Sequence, residues 1–341
     1  MWCSFPISGH AKVTGTVWHA ARAHANTPSS APRKLQCRLD VLLESSLKHT
    51  TSKTYLKHWN SFQCFIRDVL KQRIQLPVTP HTVALFVAHL HSLHLCYSTI
   101  RTYISAIAYM HKAIGFVDPS SNFMVMKALQ GAKNQGVTTR SLLLPITKKV
   151  LKRICDAVSE CATSRYEKVL YRSLFLLAYH ACMRAGEIVH SNEKAHTIRL
   201  DQIERLQNDS KYRGFKILFK SYKHCRNATQ VFHLLPEKDS TDCPVKALTK
   251  YLIHRGDKDG PLYICKNGKP ISRTVLSAFL KQCLLEAGYD SKKYNTHSFR
   301  IGRATDLAKR KTPEAIIRAT GRWKSSAFMK YIRPGHFSLP R

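Results

Sequence analysis

The stretch Tyr166–Cys182, reading Tyr-Glu-Lys-Val-Leu-Tyr-Arg-Ser-Leu-Phe-Leu-Leu-Ala-Tyr-His-Ala-Cys, restricts the possible folds more than any other part of the chain. A helix built from it is apolar on nearly every side and has to be wrapped by other elements. It is too short for a bilayer: the run Leu174–Met183 contains His180 and falls below the roughly 18 consecutive apolar residues of a spanning helix. A wrapped central helix requires a layered domain. The chain has 341 residues, 44% of them hydrophobic, enough for two cores.

Residues 1–39 hold no acidic residue, carry Lys12, Arg22, Arg33, Lys34 and Arg38, and include Thr27-Pro-Ser-Ser-Ala-Pro32. They read as a basic, disordered arm: a tail grazing a polyanion, a transit peptide, or a segment without a role. From Asp40 the pattern turns helical. Tyr55, Trp59, Phe62, Ile66 and Val69 recur every three or four residues and mark one apolar stripe. Thr79-Pro80 opens a second helix through Val83, Phe86, Val87 and Leu90, with Thr as cap and Pro at the first position. A third begins near Ser98, buries Ile100, Tyr103, Ile104, Ile107, Met110 and Ile114, and stops at Gly115. Residues 40–131 are therefore expected to form a helical domain. Lys57, Arg101 and Lys112 on its polar faces are candidate phosphate contacts, with plain solvated cations as the alternative.

Residues 132–145 carry polar and turn-forming residues without periodicity and read as a linker. A second domain is expected over 146–337. Thr147 caps a helix through Val150, Leu151, Ile154 and Val158, and the apolar helix follows. Thr197–Leu200, Phe215–Phe219 and Thr229–Leu234 alternate like strands of a small antiparallel sheet. Between the last two lies the loop 220–227, with Lys220, Lys223 and Arg226. Then come a helix from Pro244 to His254, a strand Pro261–Ile264, a tight turn at Asn267-Gly268, and a helix capped by Ser272 running toward Gly288. The fold class expected is mainly α with a small antiparallel β-sheet.

Lys and Arg number 55 against 21 acidic residues, a formal net charge of +34. So large an excess implies a polyanionic partner, nucleic acid first, and neither a membrane nor a small-molecule substrate. Eleven cysteines, an odd count with no signal peptide ahead of them, suggest reduced thiols in the cytosol or nucleus. No Cys-x-x-Cys occurs, and Cys155 with Cys161, or His190 with His196, is too isolated for a metal site.

The last forty-odd residues concentrate the chemistry. His297 and Arg300 are three apart and share one face of a helix. Trp323 precedes Tyr331 by eight residues, with Ser-Ser-Ala-Phe between them able to start a short helix. Upstream, Met183-Arg184-Ala-Gly-Glu187 supplies a second arginine. A tyrosine hydroxyl, with a pKa of about 10, becomes a nucleophile at neutral pH only beside a base or a strong positive field. Arginine forks match phosphate oxygens and stay charged. The set therefore suits attack of a phenol on a phosphodiester, with no phosphate-cradling glycine loop or carboxylate cluster that would bind a nucleotide or divalent cofactor.

The order Arg, Lys, His-x-x-Arg, Trp, Tyr resembles the tyrosine recombinase (phage integrase) family over roughly residues 40–335. Gly321-Arg-Trp-Lys-Ser-Ser-Ala-Phe-Met-Lys-Tyr-Ile-Arg-Pro334 looks most like recombinases of eukaryotic DIRS-type and Ngaro-type retroelements, with Crypton transposons next. The resemblance implies a core-binding domain over 40–131 and a catalytic domain over 146–337 acting on double-stranded DNA as a homo-oligomer, a tetramer, in the nucleus. It implies strand cleavage and rejoining through a 3′-phosphotyrosyl link, without cofactor or metal. Tyr331 would be the nucleophile, Arg184 and Arg300 the phosphate holders, His297 a proton relay, and Trp323 a packing residue able to donate its indole N–H. Lys223, or else Lys220, would protonate the departing 5′ oxygen. Bacterial and phage members usually space the last pair by nine residues, one more than Trp323 and Tyr331. Only ten residues follow Tyr331, fewer than in members that lend a C-terminal helix to a neighbour. An inactive domesticated DNA-binding module and a type IB topoisomerase are the alternatives.

Overall fold

The computed structural model describes residues 33–135, 143–189, 197–208, 211–220, 229–237 and 241–336. The chain divides into two units, 1–139 and 140–341, and the division falls inside the expected linker.

The first unit is helical: α1 (Arg33–Ser46), α2 (His49–Cys64), α3 (Pro80–Ser92), α4 (Tyr97–Ala113) and α5 (Phe123–Gln135). The expected apolar positions meet in one core, where Trp59, Phe62, Val83, Phe86, Ile100 and Ile107 are almost wholly enclosed. Thr79 caps α3, its hydroxyl accepting from the Thr82 amide at 3.2 Å. Two boundaries and one buried position differ from expectation. Helix α1 starts at Arg33, inside the stretch read as an arm, because the scarcity of acids says nothing about helix propensity, and Leu35, Leu39 and Leu42 keep a helical spacing there. Helix α5 runs past residue 131 to Gln135, into the expected linker. Val69 is 51% exposed rather than part of the stripe. Helix α2 passes there into a π-helical turn, Phe65–Val69, whose wider spacing turns the next side chain off the core face.

The second unit contains α6 (Lys148–Cys161), α7 (Arg165–His180), α8 (Ala185–Ile188), β1 (Ile203–Asn208), β2 (Lys211–Phe219), β3 (Gln230–Leu234), α9 (Pro244–Arg255), α10 (Arg273–Glu286), α11 (Ser298–Lys309) and α12 (Glu314–Gly321). Helix α7 is the wrapped helix: every residue from Ser173 to His180 is buried. Helices α6, α9 and α11 pack against it, and Phe175, Phe299, Leu248 and Leu284 join one core. The extended segment before α6 is stitched to α11 by the Ile146 amide donating to the Ser298 carbonyl at 3.0 Å. Gly302 makes this approach possible, since a Cβ there would run into the Ile146 carbonyl.

The sheet is antiparallel in the order β1-β2-β3, with Ile203 opposite Ile217 and Phe215 opposite Leu234. Two expected strands are absent. Thr197–Leu200 contributes only a bridge from Arg199 to Pro261, and the first strand is instead Ile203–Asn208. That strand lies at the sheet edge, where Glu204 and Arg205 face water, so little apolar alternation marks it. Residues 261–264 make only isolated bridges, Pro261 to Arg199 and Ile264 to Pro270, the second flanking the Asn267-Gly268 turn, where Gly268 has φ 77°.

Candidate active site

Four segments of the second unit bring the cationic and aromatic residues together. Helix α7 ends at His180, and Cys182 turns into the left-handed region at φ 48°, which redirects the chain so that Arg184 stands ahead of α8. The Glu187 carboxylate reaches back to accept from the Arg184 amide at 2.9 Å and from Arg184 Nη1 at 2.8 Å. His297 and Arg300 come from the start of α11, as their spacing predicts. Helix α12 ends on Arg322, also left-handed at φ 55°. Ser325 then caps a 3-10 turn, Ser326–Tyr331, that carries the tyrosine.

These elements converge on Tyr331. Its ring centroid lies 5.1 Å from that of His297 and 5.1 Å from that of Trp323. The Arg300 guanidinium sits 4.0 Å from the centre of the Trp323 ring and 5.4 Å from that of Tyr331. The segment is held down by Phe328, buried with Leu307 and Ile317, and by Thr305, whose hydroxyl donates to the Tyr331 carbonyl at 3.3 Å. Gly321 lets the Trp323 ring lie against the end of α12, because a Cβ at that position would occupy the space of the indole.

The electrostatics follow from this crowding. Burial, then Arg300, Arg184, Arg273 and Arg333, push the His297 pKa down to about 4, so its imidazole is neutral at pH 7 and can accept a proton. Burial and neighbouring guanidiniums also lower the pKa of Arg300. Arg184 is the more accessible arginine, with a side chain 21% exposed. Arg300 is fully enclosed: Nη1 donates to the Cys182 carbonyl at 2.6 Å and Nη2 to the Gly321 carbonyl. Its Nε and the indole Nε1 of Trp323 are buried without a hydrogen-bond partner among the described residues.

Residues 145–334, more than half of the chain, match the phage integrase family. The chain belongs to this family of tyrosine recombinases. No curated protein matches it in sequence. Among solved structures it is similar to XerH site-specific recombinase bound to palindromic difH substrate, with 15% identity and a TM-score of 0.63 over 92% of this chain and 89% of that one. A lambda integrase dimer bound to a COC′ core site matches at 11% identity and TM-score 0.60, over 92% and 84% of the two chains. The Tn1549 transposon integrase with transposon right end DNA matches at 12% identity and TM-score 0.57, over 95% and 94%. At such identities the likeness is one of fold.

Within this phage integrase fold, the structure brings together five of the six expected site residues: Arg184, His297, Arg300, Trp323 and Tyr331. Lys223 lies outside the described residues. Lys220 is 58% exposed and pairs with Asp201 at 2.8 Å. In the first unit, Lys57 and Arg101 are exposed, and Lys112 is tied to Asp118 at 2.8 Å. Despite the eight-residue spacing, it is the Trp323 ring that packs on Tyr331. The residue nine before the tyrosine, Arg322, turns the other way into the protein. The sequence alone does not single out Arg273 and Arg333, whose charges act on His297, or Arg322, whose charge acts on Arg300. Nothing in the local pattern marks Arg273.

Proposed function

We propose that this phage integrase family member cuts and rejoins DNA strands with Tyr331 as nucleophile. The phenol oxygen attacks the scissile phosphate while His297 takes its proton. The P–O5′ bond breaks, and Lys223 gives the departing 5′ oxygen a proton, leaving a 3′-phosphotyrosyl enzyme and a free 5′ hydroxyl. A 5′ hydroxyl then attacks the phosphotyrosine, reseals the strand and returns the phenol. The covalent link conserves the phosphodiester energy, so the cycle calls on neither nucleotide nor metal. The observation that carries the reading is the convergence of His297, Arg300 and Trp323 on the Tyr331 ring.

Of Arg184 and Arg300, Arg184 is the one accessible enough to grip a phosphoryl oxygen while paired with Glu187. Arg300 acts from beneath Trp323 as a fixed positive charge, and its direct contact with phosphate requires the indole to move. Double-stranded DNA suits the net charge of +34, and the matched structures hold XerH on its difH substrate, lambda integrase on a COC′ core site and Tn1549 integrase on transposon right end DNA. Lys57, Arg101, Lys112 and Lys220 are proposed backbone contacts, with Lys220 the second candidate for the acid. A tetramer on DNA, action in the nucleus and service to a DIRS-type or Ngaro-type mobile element are further parts of the proposal, resting on the phrasing of residues 321–334.

The test offers duplexes randomised on both sides of a nick to the wild type and to Tyr331→Phe, followed by denaturing electrophoresis and sequencing of protein-linked DNA. A Tyr331-dependent adduct supports the reading, and its sequences report the target. DNA binding without adduct from either protein overturns it in favour of an inactive binding module. Plasmid relaxation without recombined junctions would indicate a topoisomerase.

A further inference from the structure

The buried carboxylate of Glu187 is shared by two arginines. It is 2% exposed, and it accepts from Arg184 Nη1 at 2.8 Å through one oxygen and from Arg322 Nη2 at 2.6 Å through the other. Burial pushes the Glu187 pKa up, and Arg322 and then Arg184 outweigh it, so the group stays ionised. The Arg322 side chain is itself 1% exposed, lies 3.9 Å over the Phe219 ring of β2, and donates to the Ala181 carbonyl at 3.1 Å. It reaches this place because its backbone is left-handed. The geometry points to Arg322 as a positioning residue that neutralises Glu187, so that Arg184 is oriented by the carboxylate while its positive charge remains available to phosphate.

Charge counting supplies the reason. With Arg184 alone, Glu187 would form a neutral pair, and the field that Arg184 offers a phosphoryl oxygen would be largely cancelled. With Arg322 added, the trio carries a net single positive charge, and the end facing the site is Arg184. The inference rests on the proposed strand-cleaving role of Arg184. Its structural half, the dependence of Arg322 on Glu187, can be read without DNA.

The experiment compares wild type, Arg322→Met, Glu187→Gln and the double variant. It measures thermal melting and the rate of adduct formation on the randomised nicked duplexes. Arg322→Met leaves the Glu187 carboxylate paired with Arg184 alone, and we expect a fall of several degrees in Tm and a loss of tenfold or more in rate. Removing the carboxylate charge as well should restore both, bringing the double variant to within a few-fold of Glu187→Gln in rate. If Glu187→Gln folds and the double variant is no more stable than Arg322→Met, or neither folds, Arg322 is only a packing residue and the inference fails. Recovery of Tm without recovery of rate would place Arg322 on the phosphate itself, which also overturns the positioning role. Absence of adduct from the wild type overturns the proposed function instead, and the melting comparison still decides whether Arg322 compensates Glu187.

Discussion

The imidazole of His297 and the phenol ring of Tyr331 lie with their centroids 5.1 Å apart, although one starts a helix and the other ends a 3-10 turn more than thirty residues later. With its pKa held near 4 by burial and four arginines, His297 is a neutral acceptor beside the proposed nucleophile. Adduct formation should therefore show no His297 limb between pH 8 and pH 5, and should fall only as pH approaches 4. His297→Gln should cost roughly two to four orders of magnitude in single-turnover adduct rate at pH 7. A rate that instead titrates near pH 6.5 would mean that the imidazole is solvated.

The same shift has a stability consequence. An unfolded histidine titrates near about 6.5, so between that pH and about 4 the unfolded chain binds a proton that the folded His297 refuses. Stability is present above this window and is lost as pH falls through it. His180, pushed down to about 3 by burial first and then Arg303, adds to the slope. A pH series of melting temperatures should thus fall less steeply for His297→Gln than for wild type, without becoming flat.

Trp323 roofs the buried Arg300 and borders Tyr331, and Gly321 makes room for it. Gly321→Ala should push the indole aside at a cost of about 1–3 kcal/mol, the usual range for overpacking. Acrylamide should then quench the Trp323 fluorescence more strongly than in wild type, read in a background with the other three tryptophans replaced by Phe. Unchanged quenching would show that the ring has another berth.

The proposed general acid can be separated from its neighbour by leaving-group chemistry. A substrate with sulfur in place of the bridging 5′ oxygen releases a thiolate, whose conjugate acid has a pKa of about 8.5, and needs no proton donor. Lys223→Ala should be severely slow on the oxygen substrate and recover on the sulfur one. Lys220→Ala, whose partner is Asp201, should change little on either. The reverse pattern would move the acid to Lys220.

Gly302 lies one turn from the site on α11, against the Ile146 backbone. Gly302→Ala should force that strand away from α11 and destabilise the second unit by about 1–3 kcal/mol, measured by urea unfolding. A neutral or stabilising result would mean that the entry segment is free to shift.

Much of the helical architecture was legible because burial imposes a period. Trp59, Phe62, Phe86 and Ile107 show the 3.6-residue stripe of helices with one wet face, and Ser173–His180 shows the absence of any wet face. Edge strand β1 carries little pattern because Glu204 and Arg205 face water, and a strand that buries little shows little apolar alternation. Helix α1 begins at Arg33, inside the expected arm, because apolar periodicity and not acid content marks where a helix starts.

For the site, the sequence by itself determined which residues are present and which pair shares a helix turn, since His297 and Arg300 are neighbours at any place where that segment is helical. Only the tertiary structure decided the rest. That Trp323 rather than the residue nine before Tyr331 meets the phenol depends on a left-handed Arg322, and that Arg322 is anchored depends on a carboxylate 135 positions away. Local spacing encodes neighbours within a helix or strand, whereas contacts between distant segments are selected by burial and charge compensation, which act only once the chain has closed on itself.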